Sequence, residues 1–314
     1  MTEPPVLALV PDDAIRSEVD VPGVALAMLS PSEPPRGPAA RAGFVILDPR
    51  AREQFTALLP RLARLEVVQT LTAGIDWLPP LPPGVTVCNA SGVHDGPVAE
   101  WVVAVILAMA KDLPAYVGHQ RAGRWDTSGN TAFARGLGSG DLAEQTVLIV
   151  GHGSIGRALA QRLAPFGSRV LGIARHPRAG VSGPESLPAL LPESDVVVLL
   201  APATAETRHL VDAPFLSRMR PGALLVNAAR GTLVDTGALL EALRTGRVRA
   251  ALDATDPEPL PRHHPLWSAP GVLITPHVAG STTHWRARAY RLAGQQLRRY
   301  AAGQPLVNVR RHGY

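Results

Sequence analysis

Short apolar runs alternate with longer, mostly polar segments along most of the chain. The runs lie at residues 6–10, 25–29, 44–47, 67–71 and 85–88 in the first part, and at residues 147–150, 169–174, 195–200, 223–227, 249–252 and 271–275 in the second part. They are rich in Val, Ile and Leu and too short for helices, which is typical of buried strands. Strands that are separated by helix-length segments predict βα units on parallel sheets, so the pattern indicates an α/β protein.

One apolar run is much longer than the others. Residues 101–110 carry no charge, and they follow Asp95, Pro97 and Glu100, which suit a helix start as N-cap, first-turn proline and favourable charge. The run is well short of the roughly 20 residues that a helix needs to cross a bilayer. The sequence therefore predicts a buried helix, covered by a neighbouring domain or a second subunit, and no membrane partner.

Composition limits the classes of protein that the chain can represent. Its 314 residues and 46% hydrophobic content suffice for one large or two medium domains. The first residues include Glu3 and Asp12 and show no basic segment followed by an apolar one, so we expect no secretory signal. Cys88 is the only cysteine, which argues against a disulfide framework or a cysteine-based metal site within the chain and fits a reducing cytoplasm. The net charge of +5 comes from scattered arginines, so we expect no nucleic-acid partner.

The run at 147–150 leads into a glycine-rich turn. Gly151, Gly153 and Gly156 form the pattern GxGxxG, and Ser154 and Ile155 begin the predicted helix. The first glycine permits a tight turn, the second lets backbone approach a pyrophosphate, and the third lets the helix lie close to the strand. The helix N-terminus then directs its amides at the phosphates. Strand, glycines, helix and second strand within about 30 residues predict a dinucleotide site, the alternative being a structural turn.

The end of the second strand indicates which dinucleotide is bound. An NAD site carries an Asp or Glu about 20 residues after the glycines, whereas an NADP site carries an arginine for the 2′-phosphate. Here the strand ends in ARHPR, without a carboxylate. With NAD, Arg175 and Arg178 have no partner, whereas a phosphate gives Arg175 a bidentate one. NADP(H) is therefore favoured over NAD(H), and the alternative is that both arginines are solvated loop residues.

Polar residues also follow the last three predicted strands, at the carboxyl ends where ligands bind in open parallel sheets. They are Arg230, Glu258 and His277. These side chains suit the reduction of a 2-oxo acid: a guanidinium binds the carboxylate and polarises the carbonyl, and an imidazolium delivers a proton to its oxygen. A carboxylate next to an imidazole fixes its tautomer and favours its charged form. Taken singly, each of the three residues also fits an ordinary surface loop or strand end.

Local sequence strings decide between these interpretations. They are LTAGIDWL, HDGPVAEWVVAVILAMAK, VGHGSIGRALA, APATAETRHLV, MRPGALLVNAARGTLVD, LDATDPEPL and TPHVAGST, within residues 65–308. Together they resemble the D-isomer-specific 2-hydroxyacid dehydrogenases. The resemblance implies two doubly wound parallel-sheet domains: a flavodoxin-like substrate-binding domain at residues 1–92 and 285–314, and a Rossmann dinucleotide-binding domain at residues 93–284. It also implies a homodimer formed around the long helix.

The same resemblance assigns roles to individual residues. Arg230 matches the arginine that binds the substrate carboxylate and carbonyl, His277 the catalytic acid/base, and Glu258 its partner. Backbone amides of Ala73 and Gly74, in the AGID turn, are expected to help hold the carboxylate. Residues expected to bind the cofactor are Gly151, Gly153, Ser154, Ile155, Gly156, Arg175, Arg178, Pro202, Thr207, Ala228 and Asp253. The resemblance gives the last of these a contact with the nicotinamide amide.

The expected activity is the reduction of a small 2-oxo acid, of the glyoxylate or hydroxypyruvate type, to the D-2-hydroxy acid, with NADPH favoured. Within the enzyme class the alternatives are D-3-phosphoglycerate and phosphite dehydrogenases. Formate oxidation is disfavoured, because formate dehydrogenases of this superfamily carry glutamine where Glu258 stands. The alternative of another class is a nucleotide-sensing, corepressor-like binding protein, which can retain all three catalytic residues.

Overall fold

The computed structural model describes residues 6–12, 15–29, 41–125 and 141–310, which form two compact units. One unit comprises Met1–His94 and Thr283–Tyr314, and the other comprises Asp95–Thr282. Each border adjoins a helix, because one helix begins at Asp95 and another at Trp285. The division lies two residues from each of the borders 92/93 and 284/285 that the sequence suggests.

The strands of the described residues match the apolar runs of the sequence. They are β1 (Val6–Val10), β2 (Val24–Met28), β3 (Phe44–Leu47), β4 (Val67–Thr70), β5 (Thr86–Cys88), β6 (Thr146–Val150), β7 (Arg169–Ile173), β8 (Val196–Leu199), β9 (Ala223–Asn227), β10 (Val248–Leu252), β11 (Val272–Ile274) and β12 (Val309–Arg310). Apart from β12, which the pattern does not predict, every strand begins and ends within one residue of the expected position.

Helices of the described residues fill the segments between these strands. They are α1 (Arg16–Val19), α2 (Arg52–Leu58), α3 (Asp95–Ala110), α4 (Leu113–Arg121), α5 (Ser154–Leu163), α6 (Leu187–Leu190), α7 (Ala213–Arg218), α8 (Thr236–Arg244) and α9 (Trp285–Ala301). The sequence does not predict α4, because that helix buries no residue and so shows no apolar stripe. In the described part of the chain, no helix is both long and apolar enough to cross a membrane.

The unit made of both chain ends is built on a six-stranded sheet in the order β12-β5-β4-β3-β1-β2. Neighbouring strands are parallel except β12, which pairs antiparallel with β5. Alternate residues face opposite sides: Ala8 and Val10 pack with Leu297 of α9, whereas Leu9 packs with Phe55 of α2. Both faces are thus covered, as a doubly wound sheet requires.

The Asp95–Thr282 unit is built on a second six-stranded sheet, in the order β11-β10-β9-β8-β6-β7, with every pair parallel. In β6, Ile149 packs with Leu159 of α5 and with α3, whereas Leu148 packs on the other face with Leu239 of α8. Burial of each such side chain stabilises the fold by about 1.5–3 kcal/mol. The expected fold class, two doubly wound α/β domains, is confirmed.

Candidate dinucleotide and catalytic site

Each glycine of the turn between β6 and α5 meets a different backbone requirement. Gly151 has φ +105°, and a Cβ there would overlap the backbone of Ala201, so only glycine fits. At Gly156 a Cβ would lie 3.0 Å from the Gly151 carbonyl oxygen, because α5 lies close to the strand. A Cβ on Gly153 would meet nothing within 4 Å, so the space beside this residue is open. The turn therefore fits a bound pyrophosphate, which needs this tight bend and open backbone face.

Ser154 and Ile155 begin α5. The Ser154 hydroxyl donates a hydrogen bond to Asp95 Oδ1 at 3.1 Å, and Ile155 packs against the core. What these two residues offer a phosphate is therefore mainly their backbone amides. The expectation that Asp95 is the N-cap of α3 is wrong, because the helix already begins at Asp95 and the carboxylate is bonded to Ser154.

The two arginines after β7 both have protein partners. Arg175 Nη2 lies 3.9 Å from Glu206 Oε1, with side chains 70% and 71% exposed. Arg178 Nη2 donates to the His152 carbonyl at 2.5 Å and lies 3.1 Å from Nδ1 of the same residue. The expectation that both guanidiniums lack a partner unless a phosphate is bound is therefore wrong. It fails because Glu206 and His152 come from other segments, which the strand end does not reveal.

Thr207 closes the loop after β8. Its hydroxyl donates to the Pro202 carbonyl at 2.6 Å and accepts from the Thr204 amide at 2.8 Å. After β9, the amide of Ala228 donates to the Leu199 carbonyl at 3.3 Å. Pro202, Thr207 and Ala228 thus follow two neighbouring strands, and β8 lies beside the strand that leads into the glycine turn. Their contact with a cofactor stays a prediction.

Arg230, just after β9, is held by a buried amide and a close backbone approach. Asn227 is fully buried, and its Nδ2 donates to the carbonyls of Arg230 at 2.9 Å and Ala254 at 3.3 Å. A Cβ on Gly231 would overlap the Thr255 carbonyl oxygen, so the chain after Arg230 lies directly against the segment after β10. Neither Asn227 nor Gly231 is among the site residues that the sequence predicts. The signals were a polar residue at the end of a buried strand and the glycine of the NAARG string.

His277 and Glu258 form a close pair although they follow different strands. His277 Nδ1 lies 2.6 Å from Glu258 Oε1, and their side chains are 42% and 41% exposed. The contact fixes which ring nitrogen faces the carboxylate, so Nε2 is the atom that can exchange a proton with a ligand. The pair is therefore a half-exposed acid/base group that a carboxylate orients.

Asp253 holds the turn that carries His277. Its carbonyl accepts the His277 amide at 2.8 Å, and its buried carboxylate accepts the Thr275 hydroxyl at 2.6 Å and the amides of Val278 and Ala279 at 2.8 and 2.9 Å. These bonds offset the strain of His277, whose φ of +53° costs a non-glycine residue on the order of 1–3 kcal/mol. The expected contact of Asp253 with nicotinamide stays a prediction, and the structure adds this structural role.

Ala73 and Gly74 lie in the other unit, in the turn after β4. Asn89 Nδ2 donates to the Ala73 carbonyl at 2.5 Å, and the Gly74 carbonyl accepts from the Thr72 hydroxyl at 2.8 Å and the Trp77 indole at 2.9 Å. The turn is thus fixed by hydrogen bonds within its own unit. The contact of its amides with a substrate carboxylate stays a prediction. Among all the described residues, no cluster of three or more His, Cys, Asp or Glu side chains could hold a metal ion.

Known proteins are similar to this chain in both sequence and fold. Residues 103–279 match the family model described as D-isomer specific 2-hydroxyacid dehydrogenase, NAD binding domain. The glyoxylate reductase of Thermofilum pendens is 36% identical over 244 residues, which cover 74% of this chain and 71% of that protein.

Two solved structures extend the similarity to almost the whole chain. A D-isomer specific 2-hydroxyacid dehydrogenase from Xanthobacter autotrophicus, in complex with NADPH and MES, has a TM-score of 0.83 and 31% identity over 98% of this chain and 99% of that one. An NADPH-dependent glyoxylate/hydroxypyruvate reductase from Sinorhizobium meliloti, in complex with NADP and sulfate, has a TM-score of 0.79 and 27% identity over 98% of this chain and 100% of that one.

Proposed function

Because the chain belongs to the D-isomer-specific 2-hydroxyacid dehydrogenases and is an NAD(P)-dependent oxidoreductase, we propose that it reduces a small 2-oxo acid to the D-2-hydroxy acid, with NADPH preferred. The observation that carries this proposal is the pair of His277 Nδ1 and Glu258 Oε1 at 2.6 Å, after the carboxyl ends of adjacent strands. Glyoxylate and hydroxypyruvate are the proposed substrates, since similar reductases are named for them.

Each residue has its own task in this reaction. Arg230 binds the carboxylate of the 2-oxo acid and polarises the adjacent carbonyl. His277 transfers the proton on Nε2 to the carbonyl oxygen, while Glu258 accepts a hydrogen bond from Nδ1–H and keeps the ring oriented. NADPH, when bound, supplies the hydride that adds to the carbonyl carbon, so one hydride and one proton convert the carbonyl to an alcohol.

The preference for NADPH is proposed from the two arginines after β7. Arg175 and Arg178 offer two guanidiniums to a 2′-phosphate, whose charge exceeds that of the single carboxylate of Glu206 near Arg175. Two similar structures contain NADPH or NADP, which supports the same preference here. Substrate binding by Ala73 and Gly74 and cofactor binding by Asp253 belong to the same proposal.

Initial rates with NADPH and NADH test the reaction and the cofactor together. The purified protein is given glyoxylate, hydroxypyruvate or the bulkier phenylpyruvate, and phosphite and D-3-phosphoglycerate are run in the oxidative direction with NADP⁺ and NAD⁺. We expect turnover with the small oxo acids and a preference for NADPH. Turnover with phosphite or phosphoglycerate alone contradicts the proposed substrate, and equal efficiency with both cofactors contradicts the preference.

We also propose that the enzyme is a cytoplasmic homodimer that needs no nucleic acid or membrane. On α4, Leu113 and Val117 stand one helical turn apart and are 51% and 43% exposed. Exposed apolar side chains on one helix face suit an interface with a second copy. Light scattering after size exclusion should give the mass of a dimer, and Leu113→Asp should shift it toward the monomer. A monomeric wild-type protein contradicts this proposal.

A further inference from the structure

The guanidinium of Arg178 contacts His152, a residue inside the glycine turn. Its Nη2 donates to the carbonyl oxygen of His152 at 2.5 Å and lies 3.1 Å from His152 Nδ1. The His152 ring packs on β7, where a Cβ on Gly172 would lie 2.7 Å from the ring atom Cδ2. Only glycine at 172 leaves room for the ring in this position. The sheet therefore positions the ring, and the ring positions the guanidinium.

The direction of the hydrogen bond between Arg178 Nη2 and His152 Nδ1 fixes the protonation state of the His152 ring. A guanidinium can only donate, so Nδ1 must accept, which requires a neutral ring with its hydrogen on Nε2. Burial lowers the pKa of His152 below its ordinary value of 6.5, and the charges of Arg178 and Arg157 lower it further, partly opposed by the residue's own backbone. The acceptor on Nδ1 is therefore present at neutral pH.

We infer that His152 determines specificity for the 2′-phosphate of NADP(H), as a positioning residue that acts through Arg178. With Nη2 held by His152, the hydrogens on Nε and on Nη1 of Arg178, which point in different directions, remain as single donors for phosphate oxygens. Fixing a long side chain before its ligand arrives removes part of the entropy that binding would otherwise cost. The inference rests on the proposed preference for NADP(H).

The two arginines differ in how firmly they are held. Arg175 has an exposed carboxylate at 3.9 Å, a distance at which a surface ion pair restrains a side chain little. Arg178 has two acceptors on one residue, and one of these is a backbone carbonyl inside the turn itself. Arg178 is therefore the fixed element of 2′-phosphate recognition, and Arg175 is the adaptable one. Because Arg178 is exposed, the contact contributes little to folding, and variants at 152 should fold.

Binding of adenosine 2′,5′-bisphosphate and of 5′-AMP, measured by calorimetry on the full chain, tests the inference without turnover. The two probes differ only in the 2′-phosphate. His152→Phe keeps a ring but has no acceptor, so its affinity for the bisphosphate should fall about fivefold to tenfold while its affinity for AMP is unchanged. His152→Asn offers an amide oxygen near the place of Nδ1 and should recover most of the loss. Adding His152→Phe to Arg178→Ala should cause no further loss.

The outcomes separate this inference from the proposed function. Equal affinity of the wild-type protein for both probes contradicts the NADP(H) preference itself. Wild-type discrimination that His152→Phe retains contradicts only the role of His152. A second readout is the NMR titration of the His152 ring: in Arg178→Ala its pKa should rise toward 6.5, because the donor and the charge that favour the neutral ring are gone. An unchanged pKa contradicts the contact, and this test stands even if His152→Phe does not fold.

Discussion

The two units share a doubly wound, six-stranded sheet but use the charged residues at their strand ends differently. In the Asp95–Thr282 unit, the paired side chains of His277 and Glu258 stay 42% and 41% exposed. In the other unit, the Asp48 side chain after β3 is only 4% exposed and is bonded to Arg50 at 2.7 Å. The Asp95–Thr282 unit therefore leaves a charged pair exposed after two of its strands, whereas Asp48 of the other unit is buried and holds a loop.

The loop-holding groups of the unit made of both chain ends are fixed in one protonation state at neutral pH. Burial by itself would raise the pKa of Asp48, but the hydrogen bonds and charge of Arg50 outweigh it, and the pKa is lowered. The Tyr290 hydroxyl donates to Asp12 at 2.8 Å, and burial, more than this bond, raises the pKa of Tyr290 to about 12. Such groups support structure rather than proton transfer.

In the Asp95–Thr282 unit the supporting role belongs to a separate set of buried residues. Asn227 and Asp253 are 0% and 4% exposed, and they hold Arg230 and the His277 turn through side-chain bonds. Because support and chemistry lie on different residues, a substitution in this unit can impair one and spare the other. Apart from the turn that contains Ala73 and Gly74, the unit made of both chain ends should show mainly stability effects at its strand ends.

Removal of the acid/base group should give the largest effect. His277→Ala should lower kcat with hydroxypyruvate by about 10²–10⁴-fold, because the proposed proton donor is lost, while the melting temperature stays near that of the wild type. His263→Ala, an exposed loop histidine, is the matched control and should leave kcat unchanged. Turnover near the wild-type rate in His277→Ala would remove its assigned role.

A methyl group at Gly231 should also impair turnover strongly. The added Cβ would overlap the Thr255 carbonyl, so Arg230 and the segment after β10 must move apart, and a misplacement of this kind costs about 10²-fold in rate. Gly118→Ala is the control, because a Cβ there meets nothing within 4 Å and alanine favours the helix. Equal kinetics for the two alanine variants would show that the close approach at Gly231 does not matter for the reaction.

Loss of the Asp48 charge should affect stability and leave catalysis intact. Asp48→Asn removes a charged partner of Arg50, and its free energy of unfolding should drop by about 1–3 kcal/mol in urea titrations at pH 7, with kcat changed little. A strong loss of kcat without a loss of stability would break the contrast between the two units.

The pH dependence of the stability of Asp48→Asn checks whether the expected loss comes from the Asp48 charge. Since the pKa of Asp48 in the folded state is below its ordinary value of 3.8, its contribution is fully present above that value and is lost as the pH falls through the lower, folded-state pKa. The stability difference between the wild type and Asp48→Asn should therefore be constant at neutral pH and shrink below about pH 4. A difference that persists unchanged in acid points to packing instead.

The smallest expected effect lies at the edge of the proposed cofactor site. Glu206→Gln removes the carboxylate that competes with a 2′-phosphate for Arg175, so the ratio of kcat/KM for NADPH to that for NADH should rise about twofold to threefold. The change is small because both partners are exposed. A fall in this ratio would mean that Glu206 assists NADPH binding, and the proposed competition would then be wrong.

The sequence alone determined most of the sheet architecture. Strands such as Ala223–Asn227 are buried on both faces, so they appear as continuous apolar runs that polar or glycine residues interrupt. The requirements at Gly151 and Gly156 could also be predicted, because a positive φ and a close helix contact each demand glycine. By contrast, α4 and the two-residue strand Val309–Arg310 bury too little apolar surface to leave a pattern.

The proximity of Glu258 and His277 could be expected from the topology, but the hydrogen-bond partners of the site residues could not. Parallel strands bring their carboxyl ends to one edge, so residues after β9, β10 and β11 could be expected to lie together. Only the tertiary structure decided that Asp253 fixes the His277 turn. The same holds for the ion pair between Glu206 and Arg175 and for the contact between His152 and Arg178. The physical reason is that a charged side chain in a loop can satisfy its hydrogen bonds in many ways. Which way it takes depends on where other segments pack, and local sequence does not encode that.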